Sequence, residues 1–266
     1  MLNAIHLYGR MAATSIRGQM QYRASFIMQT LGQVGLVIEF VAIWALFHRF
    51  GNLGGWTLAE VAMLYGIVHV QWGITDLLGR AFDSFGNNVR KGDFDRILLR
   101  PRSTVLQLAG TEILLHRIGR IFQGAAVLTW ALAQLDMAWT PVKVALFLTT
   151  LLAGTALFGG MLIMQATLCF WTIEGLEVAN IFTHGGVETA RYPMAIYPRW
   201  FRSLFTIVVP LGAVTYFPAM ALLGRDDPLG SPVWFQWTAP LLGFLFFGVS
   251  LQVWKLGLRR YRSTGS

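Results

Sequence analysis

"VWFQWTAPLLGFLFFGVSLQVWKL", residues 233–256, is the stretch whose reading decides the fold. At about 1.5 Å of rise per residue, a helix of this length crosses a hydrocarbon core of about 30 Å. Comparable runs precede it at about 26–47 ("FIMQTLGQVGLVIEFVAIWALF"), 58–79 ("LAEVAMLYGIVHVQWGITDLLG"), 113–135, 142–171 and 200–223. The chain therefore reads as an all-α integral membrane protein, six transmembrane helices in one transmembrane domain over residues 1–266. Composition agrees: 55% of residues are hydrophobic and 13% charged, against about 25% charged in soluble domains.

The formal charge of +8 invites a nucleic-acid reading, because basic surfaces attract phosphate. The basic residues border apolar runs, however, and there they sort topology. Arg10, Arg17 and Arg23, the group Arg80, Arg90, Lys91, Arg96, Arg100, Arg102, Arg117 and Arg120, and the closing Lys255, Arg259, Arg260 and Arg262 make fifteen of the 21 lysines and arginines. They fall on one side, and only Arg49, Lys143 and Arg225 on the other. The positive-inside rule then predicts a multi-pass protein of the cell (inner or plasma) membrane, in contact with lipid, not nucleic acid, and with both termini cytoplasmic.

Two segments admit two readings each. Residues 1–23 place Leu2, Ile5, Ala12, Ile16 and Met20 at roughly helical spacing, with Arg10 and Arg17 on another face. That suits an interfacial helix, or a plain lead-in to the first span. In the second segment, Arg191, Arg199 and Arg202 accompany Pro193 and Pro198, with Pro210 and Pro218 beyond. Either residues 174–202 are an inside loop before a span at 200–223, or the span is 168–190 and residues 193–223 form a re-entrant outer hairpin. Broken helices at membrane depth need protein or water around their freed backbone groups.

Much chemistry is missing from the sequence. "GNNVRKGD" (86–93) has neither the glycine and lysine spacing nor the Ser or Thr of a phosphate-cradling loop, so ATP hydrolysis by this chain is not expected and no enzyme activity is assigned. The signature H-E-x-x-H is absent, and His6, His48, His69, His116 and His184 are scattered singly, so no metal site is expected. The lone Cys169 lies in an apolar run and is expected to pack. No short apolar core with a small-residue cleavage site opens the chain, so no removable signal peptide is expected. Trp44, Trp56, Trp130, Trp139, Trp200, Trp234, Trp237 and Trp254 lie near span ends and read as an interfacial belt. The glycine pairs Gly32/Gly35, Gly154/Gly159 and Gly243/Gly248 allow close helix approach. Glu39 and Asp76 are the acidic residues well within spans. Asp76 sits near enough to an end to stay hydrated. Glu39 either faces a substrate path or partner subunit, or hydrogen-bonds a neighbouring helix.

The densest polar stretch is "VRKGDFDRILLRPRS", residues 89–103, within a patterned inside loop over 80–112. Gly92 and Asp93 read as a helix entry with Asp93 as N-cap, and Pro101 as its stop. Phe94, Ile97, Leu98 and Pro101 form an apolar stripe, and Asp93, Asp95, Arg96 and Arg100 the polar remainder. A topology anchor would need only the arginines. A socket on a partner protein would use both apolar knobs and charges of both signs.

"KGDFDRILLRPRS" (91–103) closely resembles the cytoplasmic loop of the small six-helix permease subunits of ATP-binding-cassette (ABC) exporters of the second type. The resemblance continues in "FWTIEGLE" (170–177), "ARYPMAIYPRWFR" (190–202), "VVPLGAVTYFPAMALLG" (208–224) and "WKLGLRRYRSTGS" (254–266). It implies two permease subunits, alike or different, above two separate ATPase subunits that bind ATP and magnesium; no cofactor is implied for this chain. It further implies that residues 89–103 carry a coupling helix, with Asp93, Phe94, Asp95, Arg96, Leu98, Leu99, Arg100 and Pro101 as ATPase contacts. The N-terminal segment resembles the interfacial helix of such permeases, and 193–223 their re-entrant hairpin. The polar run 174–191 departs from the pattern as a poor fifth span. Two other functions remain open on the residues alone: an ion- or proton-coupled transporter using Glu39 or Asp76, and a membrane scaffold that anchors an ATPase without transport.

Overall fold

A computed structural model describes residues 9, 13–14, 16–21, 23–32, 35–172 and 176–261. Leu2, Ile5, Arg10 and Ala12 of the expected interfacial helix, Glu174 in "FWTIEGLE", and Arg262 with the tail after it lie outside the described residues. Among the described residues the fold is helical, and the one β feature is an isolated bridge between Leu53 and Trp56.

The helices run in order α1 (Arg23–Gly32), α2 (Gly35–Phe50), α3 (Leu58–Asp83), α4 (Phe85–Arg90), α5 (Asp93–Leu98), α6 (Thr104–Ala109), α7 (Ile118–Gln134) and α8 (Pro141–Leu168). After them come α9 (Leu176–Ala190), α10 (Arg199–Ser203), α11 (Tyr216–Leu223), α12 (Val233–Thr238) and α13 (Leu241–Leu258). Every apolar run read as a span carries helix. Three helical runs are long and apolar enough to cross a membrane alone, Leu58–Arg90, Pro141–Leu168 and Leu241–Leu258. Arg199–Val208 with Gly212–Leu223 makes a fourth if that bent pair is one span. α7, with 17 residues, lies at the lower bound of the ~17–25 that span a bilayer.

α3 is the centre of the molecule. Thr57 starts it with a capping box: its hydroxyl accepts from the Glu60 backbone N–H at 3.3 Å, and the Glu60 carboxylate accepts from the Thr57 N–H at 2.8 Å. Every residue from Glu60 to Gly73 is buried, the mark of a helix wrapped on all sides. α7 lies against it at very short range. A Cβ on Gly66 would sit 2.8 Å from the Leu128 Cα, one on Gly73 3.3 Å from the Ile121 backbone nitrogen, and one on Gly124 3.0 Å from the Val70 nitrogen. In lipid, where apolar burial between helices gains little, such backbone contact holds spans together.

α8 packs on another side of α3. There the fully buried Gln71 donates from Nε2 to the Thr150 carbonyl and to the Val214 carbonyl, each at 2.9 Å. Gly154 makes room for this amide: a Cβ there would lie 2.0 Å from the Gln71 Cδ. Val214 belongs to the 3₁₀ turn Gly212–Val214 that opens the second half of the bent pair, whose halves meet at 70°. Residues 200–223 are therefore not one straight helix. Pro210 sits in the break, Pro218 in the first turn of α11 where a missing N–H is harmless, Pro198 precedes α10, and Pro193 precedes the 3₁₀ turn Met194–Ile196. Gln71 and the Lys143 ammonium, which donates to the Leu222 carbonyl at 2.8 Å, serve carbonyls of this broken segment from neighbouring helices.

Of the expected tryptophan belt, Trp44, Trp130, Trp139, Trp200 and Trp234 are exposed, whereas Trp56 and Trp254 are buried. Trp56 lies under the Arg225 guanidinium, 5.2 Å from the ring centroid, and that guanidinium also donates to Glu60 at 2.5 Å. Of the glycine pairs, Gly154 and Gly243 make close approaches, Gly243 to the Ala153 carbonyl, while Gly32 and Gly248 face open space. Cys169 is buried.

Candidate functional site

The 80–112 loop folds into three short helices rather than one. Gly92, with φ of 70°, takes the N-cap position of α5 in the left-handed region open to glycine. Asp93 is therefore the first helical residue and not the cap. It stays useful there, since an acid in the first turn meets the positive helix end. α5 ends at Leu98, ahead of Pro101, and the Gln107 amide of α6 donates to the Ile97 and Arg102 carbonyls at 3.4 and 3.2 Å.

The apolar stripe read along α5 divides between two faces. Phe94 is completely buried within the chain. Its ring meets Phe85 at 4.9 Å, Tyr261 at 5.1 Å, Phe170 at 5.7 Å and Trp254 at 6.2 Å between centroids. As an outward ATPase contact Phe94 is thus corrected: it is the root by which α5 is fixed. The box joins α4, α5, the end of α8 and the end of α13, and Trp254 Nε1 also donates to Thr104 Oγ1 at 2.9 Å. Asp95 accepts from the Tyr261 hydroxyl at 2.9 Å. Burial, and the Asp95 carboxylate it faces, push that hydroxyl up to about 12. Tyr261 therefore keeps its proton through ordinary pH, and the contact fades only as pH rises through that value.

The opposite face of α5 is open. Leu99 is 85% exposed and Leu98, Arg96, Arg100 and Pro101 are exposed beside it. Asp93 is also exposed, 3.9 Å from Arg96. Apolar side chains and charges of both signs thus share one small platform backed by an aromatic box.

A second concentration of charge lies among α2, α3, α7 and α9. Glu39 of α2 is ion-paired with Arg191, accepts from the Tyr65 hydroxyl at 3.3 Å, and lies 3.7 Å from His69 Nε2. Arg191 also donates to Glu188 at 2.8 Å. The Gln123 amide donates to the Tyr65 hydroxyl at 3.1 Å, bringing in α7. About two turns beyond His69 on α3, Asp76 lies 3.2 Å from Arg117 and 3.8 Å from Arg120. Asp76 is only 5% exposed, so the expectation that it stays hydrated is corrected: two arginines take the place of water. Glu39 thus bonds a neighbouring helix, one of the two readings posed for it, and it borders a cavity of about 310 Å³.

Arg191, Glu188 and Arg120 were missed as a group by sequence reading. Arg117 and Arg120 counted there only as topology signals, and Arg191 fell in a segment of open topology. The available signal was their register: Arg117 and Arg120 are three apart, on one helical face, at the level where an acid lies in the preceding span. Among the described residues no group of three or more His, Cys, Asp or Glu side chains is placed to hold a metal ion.

Comparison with known proteins returns one family. The family described as ABC-2 family transporter protein matches residues 34–265. No curated protein and no solved structure matches. The match spans α2 to the end of α13, taking in the α5 platform, the broken segment and the charged cluster. By that match, the chain belongs to the ABC-2 transporter family, as a multi-pass membrane permease subunit rather than the ATPase.

Proposed function

We propose that the chain is the transmembrane subunit of an ATP-driven exporter, working as a dimer of permeases, identical or paired with a different one. Six membrane-crossing segments, both termini cytoplasmic and an outer hairpin built from residues 193–223 complete the reading. Separate ATPase subunits bind ATP and magnesium and dock beneath it. Their closure pushes α5, and the aromatic box passes the movement to α3, α8 and α13. The observation that carries this reading is the exposed face of α5, Arg96, Leu98, Leu99 and Arg100, set on a root that is completely buried at Phe94. A rigid base with a mixed apolar and charged tip is what a force-transmitting contact requires.

The test is co-purification from the native membrane with an ATPase assay, comparing the wild type with Leu99→Ala/Arg100→Glu. Both side chains are exposed, so stability should change by no more than about 0.5 kcal/mol. A nucleotide-hydrolysing partner should accompany the wild type, and its recovery should fall at least about tenfold with the variant, as when a contact anchor is removed. Unchanged recovery with the variant would reduce residues 89–103 to a topology anchor.

A further inference from the structure

The charged cluster is not balanced evenly around its cavity. Glu39, Trp72, Arg120, His184, Glu188 and Arg191 line the space. The two glutamates share Arg191, which is 5% exposed and lies in bonding contact with both. Among the described residues Arg120 has no comparable partner. Its ionic neighbour is Asp76 at 3.8 Å, beyond hydrogen-bond length, and Asp76 already lies closer to Arg117. Nε of Arg120, of Arg117 and of Arg191 is buried without an acceptor among the described residues.

An arginine stays charged at any working pH and offers five N–H donors in a fixed fork. Burying such a group without acceptors is costly unless something supplies them. An oxyanion supplies several acceptors at once, and arginine forks match its geometry. The cavity of about 310 Å³ holds far more than the single water that minimal filling would need. The helices that supply Glu39 and Glu188 also carry exposed apolar residues, Ile38 and Val41 on α2 and Ile181 on α9.

From this we propose that the cavity is an oxyanion site centred on Arg120, taking a phosphate or carboxylate group, borne on a membrane amphiphile or free. This inference rests on the permease reading, in which the site holds the head of a transported molecule. Glu188 borders the same space and opposes an anion, so it sets the selectivity of the site against over-tight binding.

The test uses the purified full chain with two probes. Inorganic phosphate is titrated in detergent, and phosphatidylglycerol is compared with phosphatidylcholine in nanodiscs, each read by calorimetry and thermal shift. The wild type should bind at least one probe. Arg120→Gln should weaken it about tenfold or more, the loss expected for one charge-assisted pair, and Arg120→Lys should restore part of it. Glu188→Gln, at a side chain 61% exposed and so tolerant of exchange, should tighten binding by up to about tenfold. A purely structural Arg120 would not produce that opposite response. Binding of phosphate assigns a free anion, and binding of phosphatidylglycerol alone assigns a lipid-borne head. No binding of either probe, equal binding by wild type and Arg120→Gln, or an unmoved Glu188→Gln would overturn the site. ATPase co-purification on the same preparations reports the permease reading separately, so either can fail alone.

Discussion

Gly154→Ala is expected to destabilise the protein by about 2–4 kcal/mol, a large effect for one added methyl group. The added Cβ would lie 2.0 Å from the Gln71 Cδ and 2.2 Å from Nε2, so the amide must leave. It has nowhere wet to go, since Gln71 is fully buried between α3 and α8. Its departure abandons the Val214 carbonyl, which lies in the broken segment and has no continuous helix to satisfy it. Thermal unfolding in detergent measures the loss. In a Gln71→Ala background the same glycine substitution should cost less than about 1 kcal/mol, because the clash and the abandoned bonds are already gone. Two additive losses would show that Gly154 matters for a reason other than Gln71.

Phe94→Ala should cost about 3–5 kcal/mol, the range for emptying an aromatic site in a packed core. Four rings face Phe94, and none can close the gap without giving up its own contacts. Trp254, buried in the same box, provides the readout: its fluorescence should shift as water reaches the ring. Phe94→Leu should recover part of the stability, since volume counts for more than aromaticity there. Set beside Leu99→Ala/Arg100→Glu, the result separates root from tip. The root variant should lose stability and partner together, and the tip variant only the partner. A Phe94→Ala protein that melts like the wild type would mean that α5 is not held by the box.

The fold class was legible because lipid imposes a coarse rule. Long apolar runs survive any detail of packing. The bent segment was half legible: Pro193, Pro198, Pro210 and Pro218 signalled broken helix, but the 70° angle depends on what Gln71 and Lys143 do from other helices. The face of α5 was misjudged for a similar reason. Period alone placed Phe94 with Leu98, and it could not show that Phe170, Trp254 and Tyr261, far along the chain, would converge on one of them. The close contacts at Gly66, Gly73 and Gly124 escaped a search for closely spaced glycine pairs because each glycine faces a residue of the other helix. Glu39 stood out as an acid in an apolar run, whereas its partners did not. Arg191 and Glu188 sit in the polar run that made this stretch a poor span, and that polarity is the cluster itself.

The division of labour along α5 has an evolutionary consequence. Phe94 and Asp95 face the body of the protein, while Leu99 and Arg100 face away and touch none of the box. On the coupling reading, partner choice is written in side chains that folding does not inspect. After a gene duplication, such positions can drift and be reselected in step with a duplicated ATPase. Two insulated transporter pairs can then arise within one cell by changes of charge at a few exposed sites, with the scaffold left untouched.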